Sequence, residues 1–70
     1  MQETEITQHI AQMIAFFGSK AALARAAKVT PPNVNYWEAG KTKPDSRALH
    51  NVQRASKGKF KARDIRPELF

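Results

Sequence analysis

Glycine and proline residues divide this chain of 70 residues into short segments with helical patterns. Gly18, Gly40 and Gly58 each follow such a segment, and Pro31 and Pro32 interrupt the stretch between the first two glycines. Glycine often adopts the left-handed conformation that ends a helix, whereas proline is tolerated in the first turn of one. The sequence therefore predicts a single all-α domain of four to five short helices over the whole chain.

The first segment carries apolar residues at spacings of three and four, as on one face of a helix. We expect Thr4 to cap this helix, which would run over about residues 5–17 and end at Gly18. The residues on its apolar face are Ile6, Ile10, Met13, Ile14 and Phe17.

Two helices are expected between Gly18 and Gly40. Ser19 can cap an alanine-rich helix from Lys20 to about Ala27, since alanine favours helix and lets a neighbouring helix approach closely. A third helix is expected over about residues 32–39. Its cap is either Thr30 or Pro31, and the sequence does not decide between them.

A basic loop, Lys41–Pro44, precedes the fourth helix. Either Asp45 or Ser46 can cap this helix, which is expected to end near residues 56–57, before Gly58. Its inward face is predicted to consist of Ala48, Leu49, Val52 and Ala55.

The tail after Gly58 is expected to fold back and complete the core, with a short helix near Ala62–Ile65. Its apolar residues are Phe60, Ile65, Leu69 and Phe70.

The net charge of +6 is unevenly distributed. Residues 1–18 hold two acidic residues and no lysine or arginine, whereas residues 19–70 hold all 12 basic residues against four acidic ones. Such an asymmetry indicates a face for an anionic partner, with nucleic acid as the first candidate and a merely soluble basic surface as the alternative.

The segment from Lys20 to Gly40 has the pattern that two helices crossing closely after a tight turn require. A small residue belongs where the second helix crosses the first, and Ala24 lies there. Val29 is the apolar residue at the turn, and Val34 and Trp37 are two apolar residues three apart that can anchor the second helix. The outward residues Asn33, Asn35 and Tyr36 can then hydrogen-bond to bases or phosphates.

This segment resembles the helix-turn-helix of phage Cro and lambda-repressor-like DNA-binding domains, at about residues 19–40. The run Val-Thr-Pro-Pro-Asn-Val-Asn-Tyr-Trp is similar to the recognition helix of that family, and the final Ile-Arg-Pro-Glu-Leu-Phe resembles the ending of its antitoxin-type members. Two features depart from the pattern. Lys28 stands where the turn usually has a glycine at positive φ, and Pro31 and Pro32 stand where polar side chains usually begin the recognition helix.

From this resemblance and the outward positions together, we expect one set of residues to contact bases and another to contact phosphates. The base-contacting set consists of Thr30, Pro32, Asn33, Asn35 and Tyr36, where Pro32 would pack against a thymine methyl group. The phosphate-contacting set consists of Ser19, Lys20, Lys28, Lys41, Lys43 and Arg47.

The expected function is sequence-specific binding of double-stranded DNA by a small Cro-like repressor of the prophage type. One module covers little DNA, so a homodimer, at least on DNA, is expected on a pseudo-palindromic operator. The alternatives are an antitoxin or other protein-interaction module with a partner toxin, and non-specific binding of DNA or RNA.

Other classes of function have little support in the sequence. There is no cysteine, no stretch near the ~20 apolar residues of a membrane span, and no nucleophile with a base beside it in a motif. His9 and His50 are far apart in sequence and have no further ligands at metal spacing. The sequence thus predicts a cytoplasmic protein without catalytic activity, metal or cofactor.

Overall fold

A computed structural model of the chain describes the backbone of residues 2–69 and the side chains of residues 6–69. The described part contains five α-helices and a final 3₁₀ turn, joined by turns and loops, and no strand, so the all-α prediction is confirmed. The helices are α1 (Gln2–Phe17), α2 (Lys20–Ala27), α3 (Pro31–Glu38), α4 (Ser46–Ala55) and α5 (Ala62–Ile65), and the 3₁₀ turn is Pro67–Leu69.

Side-chain caps begin two of the helices. The Ser19 hydroxyl accepts a hydrogen bond from the backbone N–H of Ala22 at 3.0 Å, and the Asp45 carboxylate accepts one from the N–H of Ala48 at 2.8 Å. The open choice at α4 is therefore settled in favour of Asp45. Each cap satisfies one of the backbone donors that a helix start leaves without a partner.

The start of α1 differs from the prediction. This helix begins at Gln2, so Thr4 lies inside it and does not cap it. The residues before Thr4 include glutamine and glutamate, which are good helix formers, and the helix therefore extends beyond the start of its apolar pattern.

One hydrophobic core is shared by all five helices. Its fully buried members on α1, α2 and α4 include Ile10, Met13, Leu23 and Leu49. Ala55, expected on the inward face of α4, is exposed instead, because α4 ends at this residue and the chain turns away. The buried apolar residues are Ile6, Ile10, Met13, Leu23, Ala24, Ala27, Val34, Trp37, Ala48, Leu49, Val52, Phe60, Ala62 and Ile65.

The tail folds back onto this core, as predicted, although not with every residue expected. Phe60 and Ile65 are buried, but Leu69 is 40% exposed, because the 3₁₀ turn that carries it buries none of its residues. Phe70 lies outside the described residues. Hydrogen bonds hold the start of α5, where the Gln53 side-chain oxygen accepts from the N–H of Ala62 at 2.8 Å.

Candidate nucleic-acid interface

The turn between α2 and α3 is closed by a lysine in a left-handed conformation. Lys28 has φ 59° and ψ 44°, its N–H donates to the carbonyl of Arg25 at 3.2 Å, and the N–H of Val29 donates to the carbonyl of Ala24 at 2.9 Å. This pair of bonds is a Schellman motif, which satisfies carbonyls that the helix end leaves free. Lys28 thus takes the conformation that glycine would adopt with less strain.

Behind the turn, α2 and α3 meet through small and apolar side chains. Ala24 is 2% exposed, Val34 is fully buried and Trp37 is 5% exposed. Val29 is partly buried and packs against the same core. These contacts hold α3 against the body of the protein by one side only.

The other side of α3 faces solvent. At about 100° per residue, Pro32, Asn35 and Tyr36 point away from the side that carries Val34 and Trp37. All three are exposed, and Tyr36 keeps 47% of its surface accessible. A polar amide, a phenol and an apolar ring are thus presented together, which are groups able to contact base edges and thymine methyls.

Thr30 and Asn33 form a pair at the start of α3. Thr30 is the capping residue, which settles the choice between Thr30 and Pro31, and α3 begins at Pro31. Its hydroxyl accepts a hydrogen bond from the side-chain amide of Asn33 at 3.2 Å, rather than from a backbone N–H. Asn33 therefore lies on the flank of α3, oriented by Thr30.

Exposed cations lie at both ends of α3. Lys28 is in the turn before it, and Lys41 and Lys43 are in the loop after it. The backbone N–H of Lys41 donates to the carbonyl of Tyr36 at 2.9 Å, which folds this loop back over the end of the helix. Arg47 is exposed in the first turn of α4, and Ser19 lies at the start of α2.

Lys20 has a partner that the sequence pattern does not reveal. Its ammonium group lies 2.7 Å from the carboxylate of Glu38, joining the start of α2 to the end of α3. Both side chains are more than two-fifths exposed, so we expect the ion pair to contribute at most about 1 kcal/mol. Any phosphate contact made by Lys20 would share the ammonium group with Glu38.

A side-chain contact from α4 supports the turn from behind. The amide of Asn51 donates to the backbone carbonyl of Ala27 at 2.9 Å. Sequence reasoning missed this residue, because a hydrogen bond between positions 24 apart leaves no periodic signal. It ties the last turn of α2 to α4 and so helps to fix the position at which α3 begins.

The described residues offer little for metal binding or for insertion into a membrane. Within the described part of the chain, no three His, Cys, Asp or Glu side chains are close enough together to hold a metal ion. His9 is half-buried on α1 and His50 is exposed on α4. None of the described helices is both long enough and apolar enough to cross a membrane.

Comparison with known proteins agrees with this geometry. The family model described as "DNA-binding transcriptional regulator Cro" matches residues 9–68. The chain is 31% identical over 58 residues to YdaS of Escherichia coli (strain K12), whose name describes it as a transcriptional regulator. That match covers 83% of this chain but only 59% of the relative, so the chain spans about three-fifths of the relative's length. No solved structure matches the chain. The chain belongs to the Cro-like family of helix-turn-helix DNA-binding transcriptional regulators.

Proposed function

We propose that this chain binds a specific DNA operator by placing α3 in the major groove, and that it acts there as a small repressor of the prophage type. The observation that carries the proposal is the division of α3 into two sides. Val34 and Trp37 are buried and fix the helix, whereas Asn35 and Tyr36 on its other side are exposed. A major groove of about 12 Å accommodates one such helix.

The exposed residues have distinct roles in this proposal. Asn35 makes a bidentate contact with adenine, the pairing that asparagine geometry favours. Tyr36 and Pro32 contact neighbouring bases or thymine methyl groups, and the Thr30–Asn33 pair contacts the base pairs beside the start of α3. The fixed orientation of Asn33 reduces the entropy that such a contact would cost.

Phosphate contacts fix the position of α3 in the groove. Lys41 and Lys43 approach the backbone from the loop after α3, and Lys28 approaches it from the turn before. Ser19 and Lys20 at the start of α2, together with Arg47 at the start of α4, complete the set. Such contacts raise affinity for every sequence and orient the protein, but they carry no base preference.

Two copies are proposed to bind one pseudo-palindromic operator. The domain measures 26 × 25 × 18 Å, so two copies can lie side by side on half-sites about one turn, or 34 Å, apart. The chain then acts without catalysis, on the DNA of a bacterial cytoplasm.

One observation favours a second candidate function, binding of a partner protein such as a toxin. Phe16 is 46% exposed, and its ring packs edge-on against Phe17 and Phe60, with centroids 5.0 and 5.5 Å away. Exposed aromatic rings are enriched at protein interfaces. This face and α3 could serve in the same protein, since autoregulating antitoxins would need both.

Selection of duplexes from a random pool, followed by affinity measurements over a range of salt, tests the proposal. We expect one preferred sequence with two-fold symmetry, bound at least about 10³-fold more tightly than random DNA. The logarithm of affinity should fall by about 0.9 per phosphate contact for each unit of log salt. Equal affinity for selected and random duplexes would contradict it.

A further inference from the structure

A shallow groove between the end of α2 and the outer side of α4 has a strongly basic lining. Its lining residues are Lys28, Ser46, Arg47, His50, Asn51 and Arg54. None of them is acidic, and three carry a permanent positive charge. We call Lys28, Arg47 and Arg54 the α4 cation row.

The three cations of the row have no carboxylate partner among residues 6–69. The ion pairs formed by those residues are Lys20–Glu38 and Arg66–Glu68, and neither involves the row. All three side chains are exposed. An exposed group of cations without counter-charges has a positive potential that attracts polyanions.

The row is held by rigid parts of the fold. Arg47 and Arg54 are seven residues apart on α4, which places them on one side of the helix about 10.5 Å from each other along its axis. The Asn51 amide, between them in sequence, is bonded to the carbonyl of Ala27, next to Lys28. The spacing of the three backbone positions that carry these charges is therefore set before any ligand binds.

We propose that the α4 cation row binds the phosphates of a DNA strand that flanks the bases contacted by α3, with Arg54 making a contact beyond those expected from the sequence. Two observations favour DNA over an acidic protein. The row includes Lys28, two residues before the cap of α3, and Arg47, close after the basic loop that follows α3. It also lies along an open groove rather than in an enclosed pocket, which suits a backbone of repeating charges. This inference rests on the proposed function.

The test compares Arg54→Gln with Arg63→Gln on the full chain. Arg63 is an exposed arginine on α5 that does not line the groove, so both variants lose one charge and the same side-chain type. Affinity for selected and for random duplexes is measured over a range of salt, and folding is checked by circular dichroism. For each bound protomer, we expect Arg54→Gln to lower the salt slope by about 0.9 and the affinity at 0.1 M salt about eightfold, whereas Arg63→Gln should change neither.

A second measurement locates the contact. Single uncharged methylphosphonate linkages are placed one at a time along the selected operator and along the double-stranded DNA that flanks it on both sides. We expect one linkage in each half-site to weaken binding by wild type and Arg63→Gln but not by Arg54→Gln, since that variant has already lost the contact.

Equal salt slopes for Arg54→Gln and Arg63→Gln, with no such linkage, would overturn the inference. The proposed function fails separately, if the wild type binds selected and random duplexes equally while Arg54→Gln still lowers the salt slope.

Discussion

The side-chain amide of Asn51 donates a hydrogen bond to the backbone carbonyl of Ala27 at 2.9 Å, across 24 positions of sequence. The carbonyl belongs to the last turn of α2, whose end carries the turn that starts α3. The fold therefore positions α3 partly through one polar contact from α4.

Replacing Asn51 with alanine should lower the free energy of unfolding by about 1–3 kcal/mol, because a partly buried carbonyl would lose its partner. Asn51→Asp should cost at least as much, since it keeps the shape but offers no donor. Urea denaturation measures both. Asn35→Ala is the matched control, and it should change stability by no more than about 0.5 kcal/mol because Asn35 is exposed. Equal stability of Asn51→Ala and wild type would show that water replaces the contact at no cost.

Two lysines have a left-handed backbone conformation, and replacing either of them with glycine should stabilise the protein. Lys28 has φ 59° and Lys57 has φ 55°, and each ends a helix. The backbone strain that glycine relieves in the folded state is larger than the free-energy cost of its greater freedom in the unfolded state. We therefore expect the free energy of unfolding to rise by about 0.5–1 kcal/mol and Tm to rise by a few degrees.

Comparing these two glycine variants separates effects on stability from effects on DNA binding. Lys28→Gly should weaken binding to all duplexes, because it removes a cation beside α3, whereas Lys57→Gly should leave binding unchanged. Calorimetry gives Tm, and fluorescence anisotropy gives the affinity. A lower Tm in both variants would mean that the lysine stems contribute more than the strain costs.

The carboxyl group of Glu68 should titrate below its ordinary range. A hydrogen bond from the Arg66 guanidinium at 2.8 Å holds the pKa of Glu68 down, and the charges of Arg66 and, to a lesser extent, Lys43 act in the same direction. A lowered carboxyl pKa stabilises the folded form above the unfolded pKa, and this contribution disappears as the pH falls through the folded pKa. Arg66 also donates to the carbonyl of Pro44 at 3.0 Å, so the pair attaches the tail to the loop after α3.

NMR titration of the Glu68 carboxyl carbon measures this effect. In Arg66→Gln the midpoint should rise towards the ordinary value. The same midpoint in Arg66→Gln and in wild type would show that Arg66 does not set it.

Much of the fold follows from local patterns in the sequence. The bounds predicted for α2 and α5 agree with the structure. The start of α2 is predictable because Ser19 caps it through a hydrogen bond to Ala22, only three residues away. The left-handed conformation of Lys28 agrees with the resemblance, in which a glycine at positive φ usually stands at this position. The outward position of Tyr36 followed from its place beside Trp37 in a helix.

The remaining features depend on contacts between distant parts of the chain. No pattern indicates that Gln53 accepts from the N–H of Ala62, that Pro44 is buried, or that Leu69 stays exposed. Packing of α2, α3 and α4 against one another creates two further features that no local pattern predicts. These are the Lys20–Glu38 ion pair and the position of Arg54 beside Lys28.

The central claim is that the outer side of α3 distinguishes one base sequence from another, and Asn35→Ala tests it most directly against Lys43→Ala. The affinities of both variants for the selected operator and for random DNA are compared with those of wild type. For each bound protomer, we expect Asn35→Ala to lower the ratio of operator affinity to random-DNA affinity roughly 5- to 150-fold, which corresponds to about 1–3 kcal/mol, with little change on random DNA. Lys43→Ala should weaken both affinities alike and keep the ratio. An unchanged ratio in Asn35→Ala would contradict the claim.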